Sequence, residues 1–148
     1  MGYISHFILA RDDEGQAVAD SPNPMQTWRG FETSGITDFE LARLLCLMRG
    51  QDPELDFDVA SDELDDGDFE STADPTTWVI RFPETFTGLL AELPVAEQQR
   101  LAVEWEPQVD LRQTGLTADE LANSLRRLCQ LAAEGKRAGL NLMMRVGE

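Results

Sequence analysis

Residues 52–74, DPELDFDVASDELDDGDFESTAD, hold 11 carboxylates and not one Lys or Arg. A segment of that charge cannot enter a core, because an ionised carboxylate without a partner is too costly to desolvate. Any fold open to this chain must carry these carboxylates on its surface. Apolar residues are nonetheless threaded through it (Leu55, Phe57, Val59, Leu64 and Phe69), so it is expected to lie folded against the molecule rather than trail as an acidic tail. Leu55, Phe57 and Val59 alternate with Asp56 and Asp58. That is the period of a strand with one wet face, and it predicts a short strand over 55–59.

The rest of the chain has an ordinary globular balance, with 42% apolar and 27% charged residues. At 148 residues it makes a single domain, long enough to bury roughly 68–70% of its unfolded surface. The charge is the outlier. The formal net charge is −16, and it is unevenly spread: residues 1–110 carry six basic and 24 acidic side chains, residues 111–148 six basic and four acidic. Such a field repels nucleic-acid phosphates and anionic membranes and speeds the approach of a basic protein. No apolar run approaches a membrane span, and the start MGYISHFILARDDEG lacks the basic n-region of a secretory signal. His6 stands where a myristoylation motif needs Ser or Thr. A cytoplasmic protein is the expectation. Cys46 and Cys129 fall on predicted helices without CxxC spacing and read as reduced core thiols.

In chain order, YISHFIL at 3–9 reads as a strand, and 16–36, with Pro22, Pro24, Gly30 and Gly35, as a loop fastened to the core by Trp28 and Phe31. Thr37–Glu40 (TDFE) is a capping box, and the apolar stripe Leu41, Leu44, Leu45, Met48 predicts a helix ended by Gly50. A strand is expected over 76–82. A helix follows after Pro83, with Phe86, Leu89, Leu90 and Leu93 on one face, and Pro94 opens another carrying Leu101 and Trp105. The longest helix starts at Gly115-Leu116-Thr117, buries Leu121, Leu125, Leu128 and Ala132, and ends at Gly135 or Gly139 before a final strand over 140–146. GITDFELA at 35–42 and GLTADELA at 115–122 share Gly, Thr, Glu, Leu and Ala, which reads as one cap used twice rather than as a duplication. The sum is a single α+β domain over 1–148, about four helices packed against one small, mostly antiparallel sheet, with 52–74 on its surface.

No signature of catalysis emerges. His6 is the only histidine and sits inside an apolar strand, and the chain has no GxSxG elbow, no GxxxxGK[ST] loop and no GxGxxG. Two distant thiols and one His do not make a zinc site. An EF-hand set on Gly67 as its sixth residue fits at Asp62 and Asp66 but puts Leu64 and Ala73 where ligands belong. No metal and no cofactor is expected. A duplex mimic needs a charge every ~1.7 Å of axis, whereas 23 extended residues space these carboxylates at about 7 Å. Matching one basic cleft requires far less.

The reading that results is a non-enzymatic acidic protein that neutralises a basic protein partner, as an immunity protein or antitoxin covers the cationic cleft of a toxin or nuclease. Its expected contacts are Asp56, Asp58, Asp62, Glu63, Asp65, Asp66, Asp68 and Glu70, with Phe57 and Phe69 (and Leu64) as apolar anchors. The alternatives are a small carboxylate-based enzyme or divalent-metal-binding domain using the same acids, and a self-associating protein whose basic helix face (Arg126, Arg127, Lys136, Arg137) docks on a neighbour's acidic run, forming a homodimer.

Overall fold

The two ends of the chain meet in the middle of one sheet. A computed structural model describes residues 3–65 and 67–147. In it β1 (Ile4–Ala10) is followed by α1 (Gly15–Asp20), β2 (Arg29–Ser34), α2 (Asp38–Met48), α3 (Phe57–Leu64), β3 (Asp68–Glu70), β4 (Trp78–Arg81), α4 (Glu84–Glu92), α5 (Val95–Trp105), α6 (Leu111–Thr114), α7 (Ala118–Ala138) and β5 (Asn141–Gly147). The strand order is β2-β1-β5-β4-β3, and every pairing is antiparallel. The α+β class expected from the sequence is therefore observed.

Strand alternation sorts the sheet into two faces. On one, Phe7, Leu9, Ile80, Leu142, Met144 and Val146 meet the apolar stripes of α2, α4, α5 and α7 in the main core. On the other, Ile8, Ala10, Val79 and Met143 meet Val18 and Ala19 of α1, with Trp28 and Phe69 packed alongside. The two capping boxes close as the sequence predicts. The Glu40 carboxylate accepts from the Thr37 backbone N–H at 2.9 Å, and Glu120 does the same for Thr117 at 3.1 Å. The Trp105 ring N–H donates to the Glu40 carbonyl at 2.9 Å, tying the end of α5 to the start of α2. Gly139, with φ 69°, ends α7 in the left-handed conformation that glycine adopts without strain.

Three expectations are corrected. The helices number seven among the described residues rather than about four; α2, α4, α5 and α7 are the four expected, and the short α1, α3 and α6 are additional. The 16–36 segment is not a loop throughout, since it contains most of α1 and all of β2. Gly30 disguised the second strand, yet it is there because the backbone passes so close to the Phe7 carbonyl that no side chain would fit. As expected, Phe31 fastens this region to the core, stacking on Phe7 with ring centroids 5.1 Å apart. Finally, 55–59 is not a strand. Phe57, Ala60 and Leu64 follow helical spacing and face the protein, so burial selects α3 over the brief two-residue alternation. A strand does form in the acidic stretch, but later, at β3.

Candidate functional site

The acidic stretch is organised by three elements: α3, the N-terminal turn of α2 and the edge strand β3. α3 is two-faced. Leu64 is 1% exposed, Ala60 is buried beside it, and Phe57 packs partly buried against the main core. The opposite side carries Asp58, Val59 and Asp62, and Leu55 lies in the turn just before the helix; all four are exposed. Leu55 is 83% exposed and Val59 71%. Phe39 of α2, 57% exposed, lies parallel to the Phe57 ring with centroids 5.8 Å apart. The Arg43 guanidinium sits 5.5 Å from the Phe57 ring centre and donates to the Gln108 carbonyl at 3.0 Å, which holds the aromatic pair from behind.

The sequence-predicted contacts divide into three groups. Asp56, Asp58, Asp62, Asp65, Asp68 and Glu70 form no ion pair among the described residues, and Asp58, Asp62, Asp65, Asp68 and Glu70 are exposed. The half-buried Asp56 accepts from the Asp52 N–H at 3.1 Å and so closes the turn that leads into α3. Glu63 is spoken for: Arg49 holds it through two hydrogen bonds of 2.5 and 2.6 Å, and that guanidinium keeps its carboxyl below the usual range. The aromatic and aliphatic anchors also separate. Phe57 is half-buried beneath Phe39, Leu64 is wholly inside the core, and Phe69 packs against the second cluster, directly below Gly15, where a Cβ would come within 2.3 Å of its ring. Asp66 lies outside the described residues.

Where α2, α3 and β3 converge, the carboxylates crowd one another. Although Asp68 is exposed, the protein around its carboxyl displaces enough water to push it up to about 6, and a hydrogen bond and charge from Asp65, then the charges of Asp38 and Glu70, push the same way. Burial also raises Asp38, reinforced by Glu40 and Asp65. At neutral pH Asp38, Asp65, Asp68 and Glu70 concentrate negative charge at this corner, and none of them forms an ion pair among the described residues. Among the described residues no group of three or more His, Cys, Asp or Glu side chains is placed to hold a metal ion. Both cysteines are buried and free, with Cys129 pushed up to about 12 by burial, so neither is a ready nucleophile.

Two features of the site were missed at the level of sequence. Asp38 reads there only as an acidic residue in a helix's first turn. Phe39 left a signal: it falls off the Leu41–Leu44–Leu45–Met48 stripe, so an aromatic was bound to face outward from a helix whose buried face was already complete. No helix among the described residues is long and apolar enough to cross a membrane. Comparison with known proteins finds no matching family model, no matching curated protein and no matching solved structure.

Proposed function

We propose that this chain is a non-enzymatic binding protein that neutralises a basic protein partner, in the manner of an immunity protein or antitoxin covering a cationic cleft. One observation carries the reading. The turn into α3 and its solvent face interleave two large apolar side chains, Leu55 and Val59, with two carboxylates, Asp58 and Asp62, that have no partner ion among the described residues. An acidic surface kept only for solubility has no use for exposed leucine, valine and phenylalanine at its centre. An interface uses both: charges hasten encounter and reject wrong partners, while apolar anchors supply affinity once water is expelled.

The labour divides accordingly. Asp58, Asp62, Asp65, Asp68 and Glu70, with Asp56 beside them, set the field that draws Lys and Arg side chains in, and can raise association toward ~10⁸–10⁹ M⁻¹s⁻¹ at low salt. Leu55 and Val59, with Phe39 exposed at the start of α2, are the apolar side chains that a basic partner covers. Glu63 contributes less to the field, since Arg49 already neutralises it. Its role is to brace α3 against the end of α2.

The test is affinity capture at low salt from the native cell, with wild type beside two variants. One replaces Asp56, Asp58, Asp62 and Asp65 by Lys; the other replaces Leu55 and Val59 by Ser. A basic protein retained by wild type, released by salt and lost from both variants is the expected result. For the purified pair, the Lys variant should associate more slowly with a flattened salt dependence, and the Ser variant should dissociate faster. Capture that is indifferent to both variants would remove α3 from the interface.

A further inference from the structure

The sheet has two edges, and only one of them is closed to further pairing. β3 is three residues long and presents Asp68 and Glu70. Brevity and charge are the usual means by which an edge strand refuses another chain. β2 is six residues long, carries no proline, and has no strand on its outer side among the described residues. Its hydrogen-bonding direction follows from one contact. The Gly35 N–H donates to the Tyr3 carbonyl at 2.8 Å, in line with the register that pairs Ile4 with Ser34. Bonded and non-bonded pairs alternate along an antiparallel ladder. Thr33, Phe31 and Arg29 therefore bond inward to β1, while Gly30, Glu32 and Ser34 turn their backbone N–H and C=O groups outward.

We infer that β2 is a self-association edge, pairing antiparallel with β2 of a second copy across a two-fold axis to continue the sheet. The charge map selects a second copy as occupant. The acidic edge at β3 lies four strand spacings away, about 19 Å, which exceeds two screening lengths of ~8 Å at physiological salt. Around β2 the acidic excess is absent: Arg127 of α7 lies over the Phe31 ring, and Arg29 is paired with Glu134 of α7. Joining two chains at β2 thus puts their least negative surfaces in contact and leaves both acidic edges outermost. The register follows from the alternation and from charge. Centring the axis on Glu32 would set two carboxylates directly opposite, which is repulsive. Centring it on Phe31 sets Gly30 opposite Glu32 and brings the two Phe31 rings together at a non-bonded pair, where facing side chains come closest. This inference is independent of the role proposed for α3.

Light scattering on the purified chain at tens of micromolar should give twice its 16.5 kDa mass, and the doubled mass should survive high salt. A monomeric mass overturns the inference, and so does a dimer that salt dissolves, which would instead indicate acidic α3 docked on a neighbour's arginines. Glu32→Pro removes one outward N–H without touching a backbone bond to β1 and should yield monomer. Glu32→Gln keeps that N–H and should remain dimeric, and a Glu32→Pro dimer would exclude β2. Hydrogen exchange on wild type needs no variant: the amides of Gly30 and Glu32 should gain protection as concentration rises, and concentration-independent exchange there rejects the pairing.

Discussion

The two edges of the sheet handle the same exposed backbone in opposite ways. At β3 the strand stops after three residues, its flanking side chains are carboxylates, and α3 leads into it with an acidic, half-apolar outer face. At β2 the strand runs six residues with a glycine and a phenylalanine at its middle, and the nearby side chains mix Arg29, Arg127, Glu32 and Glu134. The acidic edge is thereby closed to strand addition and open to a partner's side chains, while the other is open to a partner's backbone. One small sheet can in this way offer two unlike surfaces without their fields interfering, because the charge sits at one end.

The comparison breaks first if the acidic edge is not firmly built, and the largest expected effect tests that. Leu64→Ala, at a wholly buried position on α3, should cost about 2–5 kcal/mol in urea unfolding. A loss near zero would mean that α3 is not docked through its inner face. Arg49→Ala frees Glu63 and removes a two-bonded, partly buried pair, for an expected loss of about 1 kcal/mol. Asp68→Asn should move stability the other way, raising it at pH 7 by less than ~1 kcal/mol, because the site is exposed and water screens the repulsion. The gain should vanish by pH 4, where the carboxyl is already protonated in the folded chain. Smallest of all, Leu55→Ala and Val59→Ala should leave stability within ~0.5 kcal/mol. A larger loss would return those side chains to the core and remove them from the proposed interface.

Acid sharpens the contrast between the edges, since each carries a titrating group of opposite sign. Asp68 holds its proton up to about 6 when folded, against 3.8 ordinarily. Its contribution is complete below 3.8 and is lost as pH rises through 6. His6 lies beside β2, with Nε2 3.2 Å from Glu32, and burial lowers its pKa from 6.5 despite that carboxylate. The unfolded chain then takes up the proton first, so stability is complete above 6.5 and falls as pH drops through the folded value. Unfolding curves between pH 7 and 4 should thus show Asp68→Asn removing a stabilising response to acid and His6→Gln removing a destabilising one. Responses of the same sign would contradict the burial assigned to one of the two groups.

Much of this architecture is written locally. The capping boxes at Thr37 and Thr117, the stripes of α2, α4 and α7, and the terminal strands are legible because a cap or an amphipathic period is a property of neighbours in the chain. α3 was misread for the same reason: over five residues a period of two and a helical i, i+4 pair can place the same apolar residues, and only contact with the core decides between them. β2 was hidden because a strand interrupted by Gly30 has no signature until β1 lies beside it.

By itself the sequence determined that a block of carboxylates must face water, since no arrangement could bury 11 acids without matching cations. Only the tertiary structure decided which acids stay unmatched, by bringing Arg49 to Glu63 and leaving Asp58 and Asp62 without a partner ion among the described residues. It alone placed Phe39 against Phe57 and left β2 at an open edge. Those outcomes depend on residues far apart in sequence becoming neighbours, and no local period encodes them.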